Sequence, residues 1–166
     1  KYINKNLNNL NLLVLNAGGV SKFGYFEDLD IKDWENAINL NLKANVNLIK
    51  HLLPYLKKST SSQIIFIGSA VSTNPGYGNP HYIATKMALL ALAKNLSLVY
   101  AKNKIRVNTV SPGPVLTASM MKNIEYTKPS DKDIDEYEAE FLELERNKIP
   151  LGEFIDKKEV AKFILS

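Results

Sequence analysis

Three short apolar stretches along the chain predict the strands of a parallel sheet. They cover residues 12–15, 64–67 and 105–110. The first two stretches are apolar at every position, which is typical of parallel strands covered on both faces. Apolar residues at helical spacing fill the regions 30–56 and 82–100 between them. The order strand–helix–strand–helix–strand therefore predicts two right-handed crossovers and an α/β fold.

Polar residues and a proline mark the ends of the predicted helices. Asp30 is a suitable N-cap for the first helix, and Pro54 should kink or end it. A third helix is expected over residues 131–146, with its carboxylates on a solvated face. A last helix should begin at Asp156, where Glu159 would complete a capping box.

Composition narrows the function classes. The 166 residues fit one domain, and 21 Lys and Arg against 17 Asp and Glu leave a formal charge of only +4. The excess positive charges are scattered along the sequence, so the sequence gives no support for nucleic-acid binding. The chain has no Cys and only two His, which argues against thiolate catalysis and a metal site. No apolar run approaches the roughly 18 residues of a membrane span, and no secretory signal is visible, so the default location is cytoplasmic.

The most informative candidate chemistry is the pair Tyr82 and Lys86. Four residues separate them, so both side chains leave the same face of a helix. A phenol has a pKa of about 10, and a neighbouring ammonium group favours the phenolate and lowers that value. The pair would then act as a proton relay near neutral pH, and Ser69 upstream would offer a hydroxyl to a substrate oxygen.

Glycine, proline and polar residues follow each predicted strand. They occupy residues 16–19, 68–70 and 111–115. Taken singly, each loop could be only a turn. Because ligands of open α/β sheets bind beyond the carboxyl ends of the strands, these three loops and the Tyr82–Lys86 pair are expected to meet in one crevice.

These motifs, in their order and spacing along the chain, together resemble those of the short-chain dehydrogenase/reductase family. The matching residues are Asn16-Ala17-Gly18, Asn41-Leu42, Ser69, Tyr82, Lys86, Arg106-Val107-Asn108, Pro112-Gly113 and Thr117. The resemblance covers nearly the whole chain. It implies a Rossmann-like, doubly wound parallel sheet with helices on both faces, formed as a single domain by residues 1–166.

The resemblance also implies roles for these residues. The complete protein would transfer a hydride reversibly between NAD or NADP and a small carbonyl or alcohol substrate. Tyr82 would be the general acid or base, Lys86 would lower its pKa and bind the nicotinamide ribose, and Ser69 would hold the substrate oxygen. Asn41 would support a water that passes protons on from Lys86. Cofactor contacts would also come from a second set of residues: Asn16, Ala17, Gly18, Pro112, Gly113, Val115 and Thr117.

Parts of the family pattern have no counterpart in this sequence. No glycine-rich turn lies between a strand and a helix, and residues 1–11 resemble the end of a helix that precedes the Asn-Ala-Gly strand. The last family strand is also missing. We therefore expect a fold truncated at both ends, and an inactive segment if it were isolated.

Two rival functions stay open, and an oligomer is expected. The rivals are an epimerase or dehydratase of the wider family and a non-catalytic nucleotide-binding regulatory protein on the same fold. The helices over 30–56 and 82–100 carry apolar residues on more than one face, and in the resembled family they pair to form homodimers or homotetramers. The expected outer residues are Leu40, Leu48, Leu52, Leu56, Leu89, Leu90, Ala93 and Leu98.

Overall fold

A three-stranded parallel sheet forms the centre of the first part of the chain. The computed structural model describes residues 7–166. Strands β1 (Leu12–Leu15), β2 (Ser62–Ile67) and β3 (Ile105–Val110) lie in the order β1-β2-β3. Leu15 pairs with Phe66, and Ile67 pairs with Val110, all in parallel register. The predicted strands and their parallel arrangement are confirmed.

The helix predicted over residues 1–11 is not seen where it can be checked. Residues 1–6 lie outside the described part of the chain, and residues 7–11 contain no helix. Residues 7–11 are irregular, with bends at Asn8 and Asn11, and the Leu10 amide donates to the Tyr55 carbonyl oxygen at 3.2 Å.

Helices from both crossovers cover the sheet with apolar side chains. The core is made of strand residues and of residues on the two helices that follow β1 and β2. Its buried members are Leu13, Leu15, Ile49, Leu52, Leu56, Ile64, Phe66, Leu89, Ala93, Ile105 and Val107. Leu52, Leu56, Leu89 and Ala93 therefore face the sheet, which corrects their predicted place on an outer, subunit-facing surface.

The first helical region contains a break in its hydrogen bonding. It comprises α1 (Ile31–Ala37), a π-helical segment (Ile38–Lys43) and α2 (Ala44–Leu56). Asp30 caps α1 as predicted, because its side chain accepts from the Asp33 amide at 2.9 Å. Pro54 does not end the helix at its own position, since α2 continues to Leu56.

The second long helix, α3, spans Pro80–Tyr100 and begins two residues earlier than the pattern predicts. Asn79 precedes it with a left-handed backbone (φ 58°), and Pro80 occupies its first turn, where a missing amide hydrogen is tolerated. The Asn79 amide donates to the Gly24 carbonyl oxygen at 2.7 Å, and the Gly24 amide donates to Asn79 Oδ1 at 3.1 Å. This reciprocal pair ties the loop after β1 to the start of α3.

Residues Pro112–Ser166 form a second compact unit. Its helices are α4 (Ala118–Thr127), α5 (Ile134–Asn147) and α6 (Lys157–Leu165). The sequence pattern did not predict α4, which Thr117 caps by accepting from the Met120 amide at 3.3 Å. The third predicted helix corresponds to α5 and begins later than expected, after the Asp133 cap.

The start of α6 differs from the expected capping box. Asp156 caps the helix by accepting from the Lys158 amide at 2.8 Å. Glu159 does not complete the box, because its carboxylate pairs with Lys162 at 2.6 Å on the next turn. The predicted cap is right and the predicted box is wrong.

One helical stretch among the described residues, Pro80–Asn103, is long and apolar enough to cross a membrane by length and composition. Thr85, Lys86, Lys94 and Asn95 interrupt this stretch, so it is not the continuous apolar run that the sequence was expected to lack. The stretch contains buried Thr85 and Lys86 on its inner side, and Met87, Leu98 and Val99 exposed on its outer side. Apolar residues on an outer surface, in addition to those packed on the sheet, account for its unusual hydropathy.

Candidate active site

The Asn16–Gly19 loop after β1 is fixed by one buried side chain, that of Asn41. Asn41 Oδ1 accepts from the Gly19 amide at 2.7 Å, and Asn41 Nδ2 donates to the Gly19 carbonyl oxygen at 3.0 Å. Asn16, Ala17 and Gly18 themselves are exposed. Both ends of the Asn41 amide are thus used to hold the backbone of a surface loop.

Gly18 leaves room that a larger residue would fill. Its backbone has a φ of +154°, and a β-carbon at this position would lie 2.7 Å from Asn41 Oδ1 and 3.8 Å from Lys86 Nζ. The absence of a side chain therefore brings the loop backbone close to the lysine. A side chain at this position would also clash with Asn41 Oδ1, the atom that accepts from the Gly19 amide.

Lys86 is buried on the inner side of α3, with 5% of its surface exposed. Its Nζ donates to the Ile67 carbonyl oxygen, at the end of β2, at a distance of 2.8 Å. The same nitrogen lies 5.6 Å from the centre of the Tyr82 ring. Burial lowers the pKa of Lys86 from its ordinary value, because the charged form loses its hydration.

Tyr82 is partly buried one helical turn before Lys86, and its hydroxyl meets the hydroxyl of Ser69. Burial raises the pKa of Tyr82, and the hydrogen bond with Ser69 offsets part of this rise. The expected lowering by Lys86 is not seen in the protein alone. The reason is geometric, since Lys86 Nζ is directed to the Ile67 carbonyl oxygen and the phenol loses solvent without gaining a close charge.

Ser69 stands at the end of β2, where the chain turns into a short 3₁₀ helix, Ala70–Ser72. Its hydroxyl oxygen accepts weakly from the Val71 amide at 3.4 Å. Gly68 must lack a side chain here, because a β-carbon would lie 2.5 Å from Ser111 Oγ and 2.9 Å from Thr109 Cγ2. This close approach of β2 and β3 sets the position of Ser69.

The structure brings together the predicted residues of the first unit: Gly18, Asn41, Ser69, Tyr82 and Lys86. The remaining predicted cofactor contacts, Pro112, Gly113, Val115 and Thr117, belong to the second unit. There Val115 forms a parallel bridge with Ile155, and Thr117 caps α4. Their part in a cofactor site stays a prediction. Within residues 7–166 no cluster of three or more His, Asp or Glu could hold a metal ion.

His81, next to Tyr82, is fully buried beside Trp34, with ring centres 6.1 Å apart at 62°. Neither imidazole nitrogen has a well-aligned hydrogen-bond partner among the described residues. Burial lowers the pKa of His81, and the charge of Asp33 and the nearby carbonyl groups of Asn79 and Lys22 oppose this only in part. Sequence reasoning assigned His81 a structural or interface role, and its burial favours the structural one.

We expect the buried imidazole to make the protein less stable in acid. Below the ordinary pKa of 6.5, the unfolded chain binds a proton that folded His81 resists. The free energy of unfolding should therefore fall as the pH drops through this value toward the lowered pKa of the folded state. His81→Phe keeps an aromatic ring beside Trp34 and should flatten the decline between about pH 7 and pH 5, measured by urea unfolding.

The matched control for this experiment is His51→Gln. His51 is exposed on α2, and its Nδ1 lies 2.7 Å from the Asn47 carbonyl oxygen. This variant should keep the acid slope of the parent protein. Equal slopes for the parent and His81→Phe would show that His81 does not set the acid sensitivity.

Known proteins of similar sequence show the family to which the chain belongs. The sequence profile of the family described as "short chain dehydrogenase" matches residues 1–128. A 3-oxoacyl-[acyl-carrier-protein] reductase FabG of Thermotoga maritima is 31% identical over 156 residues, which cover 92% of this chain and 56% of that protein. Human dehydrogenase/reductase SDR family member 4 is 30% identical over 158 residues, covering 95% of this chain and 53% of the relative. The chain thus spans about half the length of these curated relatives.

Solved structures show the same likeness in three dimensions. A short chain dehydrogenase family protein from Francisella tularensis superposes with a TM-score of 0.86 at 30% identity, over 99% of this chain and 65% of that one. L-Sorbose reductase from Gluconobacter frateurii, solved with NADPH and L-sorbose, has a TM-score of 0.86 at 27% identity, over 99% and 61% of the two chains. The predicted Rossmann-type fold is confirmed by these structures, and the chain belongs to the short-chain dehydrogenase family.

Proposed function

We propose that the complete protein is an NAD- or NADP-dependent oxidoreductase, which interconverts a small carbonyl compound and its alcohol. The observation that carries this proposal is the grouping of Tyr82, Ser69 and Lys86 at the ends of the strands. A phenol that meets a hydroxyl group, one helical turn from a buried ammonium group, is suited to moving a proton to or from a substrate oxygen.

The residues of this site fit a nicotinamide cofactor. Gly18 lets the loop backbone lie beside Asn41 Oδ1 and Lys86 Nζ without the clash that a β-carbon would cause, and Asn41 keeps the loop in place. We assign cofactor contacts to Asn16, Ala17 and Gly18, and to Lys86. A bound nicotinamide supplies or accepts the hydride. The NADPH complex of L-sorbose reductase supports this choice without deciding between NAD and NADP for the present chain.

Each polar side chain then has a distinct task. Tyr82 donates its proton to the carbonyl oxygen in reduction and accepts one in oxidation, while Ser69 holds the same oxygen. Lys86 binds the cofactor ribose, while the hydrogen bond with Ser69 offsets part of the rise in the pKa of Tyr82 that burial causes. Asn41, whose side chain holds Gly19, would support a water that carries protons on from Lys86.

The test is turnover by the full-length protein with a panel of ketones and aldehydes, followed by the absorbance of reduced nicotinamide. Oxidation of NADH or NADPH that depends on the carbonyl compound supports the proposal. Tight cofactor binding with no net redox change, but conversion of sugar nucleotides, would favour an epimerase or dehydratase. Binding without any conversion would favour a regulatory protein.

We also propose that the protein forms a homodimer or homotetramer through the outer sides of α2 and α3. Leu48 on α2 and Met87, Leu98 and Val99 on α3 are 40–75% exposed, and Leu40 in the π segment is exposed as well. An apolar outer surface on two helices of one unit suits an isologous contact, in which the same patch of each subunit meets its copy.

Light scattering of the full-length protein at micromolar concentration tests this assembly. We expect the mass of a dimer or tetramer for the parent and a smaller mass for Leu48→Glu/Leu98→Glu, since two charges would be buried at the contact. Leu144→Glu, at a 62% exposed apolar position on α5, is the matched control and should not change the mass. A monomeric parent would refute the assembly.

A further inference from the structure

We infer that Asn45 is a positioning residue for the cofactor loop, because its side-chain amide fixes the π segment from which Asn41 holds Gly19. This inference rests on the proposed function, since it assigns the Asn16–Gly19 loop to cofactor binding. Asn45 itself contacts neither Tyr82 nor Lys86 through any hydrogen bond seen among the described residues.

The placement of Asn45 is unusual for an amide. It lies in the first turn of α2 with 2% of its surface exposed, on the same side of the helix as the core residue Ile49. Burying an amide costs free energy unless its polar atoms are bonded. Asn45 Nδ2 donates to the Asn41 carbonyl oxygen at 2.6 Å, so the amide is placed to serve that one backbone group.

The hydrogen bond from Asn45 lies at the junction of the π segment with α2. The hydrogen bonds of the π segment span five residues, as in the bond from the Ala44 amide to the Asn39 carbonyl oxygen. At α2 the helix returns to its ordinary four-residue bonds, and such single-turn π segments within α-helices are frequent at functional sites. Asn45 supplies a side-chain donor to the Asn41 carbonyl oxygen at this transition.

Asn41 connects the hydrogen bond of Asn45 to the Asn16–Gly19 loop. The backbone of Asn41 is held by Asn45, and its side chain makes both hydrogen bonds to Gly19. The neighbouring Gly18 approaches Lys86 so closely that its β-carbon would lie 3.8 Å from Nζ. Loss of the Asn45 bond should therefore loosen the Asn41 backbone, and with it the loop beside Lys86.

Two nearly isosteric variants of the full-length protein separate this bond from simple packing. Asn45→Thr keeps a hydroxyl group that can bond to the carbonyl oxygen four residues earlier, whereas Asn45→Val has almost the same shape without that donor. A hydrogen bond of ordinary strength corresponds to about a fivefold change in an equilibrium constant. We expect Asn45→Val to raise the Kd for NADH or NADPH about fivefold or more, and Asn45→Thr to stay within about twofold of the parent.

The measurement is a titration of nicotinamide fluorescence, with thermal unfolding of each variant recorded beside it. Asn47→Val is the control, because Asn47 lies exposed on the same helix, and it should bind like the parent. Parental affinity in Asn45→Val, or equal weakening in the Val and Thr variants, would overturn the inference while leaving the proposed function intact. If Asn45→Val does not fold, the Asn45→Thr variant decides alone. Cofactor binding by Asn45→Thr that is weaker than that of the parent then overturns the inference. A parent that binds neither cofactor would refute the proposed function itself.

Discussion

Tyr82→Phe in the full-length protein is expected to lower kcat by at least about a hundredfold, the usual range for a lost general acid or base. Only the hydroxyl group is removed, and the ring keeps its place one turn before Lys86 on α3. The affinity for NADH or NADPH should therefore change little, because the lost proton transfer belongs to the chemical step. Steady-state kinetics together with cofactor titration by fluorescence measure both quantities.

Tyr77→Phe is the control for this variant. Tyr77 lies five residues upstream and is 98% exposed, so loss of its hydroxyl group should leave kcat unchanged. Activity of Tyr82→Phe within a few-fold of the parent would remove Tyr82 from the catalytic role. Equal losses in both variants would indicate a general effect on the segment that precedes α3.

Lys86→Met should damage cofactor binding and turnover together. A methionine fills a similar volume, but it has no ammonium group for the ribose or for the charge that develops on the Tyr82 oxygen. Loss of a hydrogen bond to a charged group corresponds to roughly a tenfold or larger rise in the Kd of the cofactor. A fall in kcat of about a hundredfold should accompany it.

Lys94→Met, at an exposed position two turns later on α3, provides the control and should behave like the parent. If Lys86→Met bound the cofactor with parental affinity, the ribose contact would be wrong even if kcat fell. The double variant Tyr82→Phe/Lys86→Met should be little slower than Tyr82→Phe alone, because both residues serve one proton transfer.

The strands and the Tyr82–Lys86 pair could be predicted because their signals are local. A run such as residues 12–15 is apolar over its whole length, and a spacing of four residues places two side chains on one helical face. The expectation that the loops after the strands meet at one edge of the sheet followed from parallel topology. Each of these steps needs only neighbouring residues and a general rule of chain geometry.

The π segment and its contacts could not be predicted in this way. The buried positions Ala37, Asn41, Asn45 and Ile49 repeat every four residues, which is wider than the 3.6 of an ideal α-helix. Two of the four are amides, so an apolar pattern does not find them. Asn41 is buried because Gly19, distant in sequence, offers both a donor and an acceptor.

The direction in which the pKa of Tyr82 is shifted could not be predicted from the sequence either. The spacing of Tyr82 and Lys86 suggested a charge that lowers the pKa, whereas the folded chain directs Lys86 to the Ile67 carbonyl oxygen. Burial then dominates and raises the pKa. Solvent access and the choice of a hydrogen-bond partner are tertiary properties, and spacing along a helix does not determine either.

The side chains of Lys86 and Met87 are neighbours in sequence but lie in opposite surroundings, with 5% and 50% of their surfaces exposed. One turn of α3 therefore places one residue in the buried site and the next residue on the outer surface. This turn should tolerate few substitutions, because its residues have to suit both the buried site and the exposed outer surface. A library that randomises this turn should yield few functional sequences, while the solvated face of α5 should accept many.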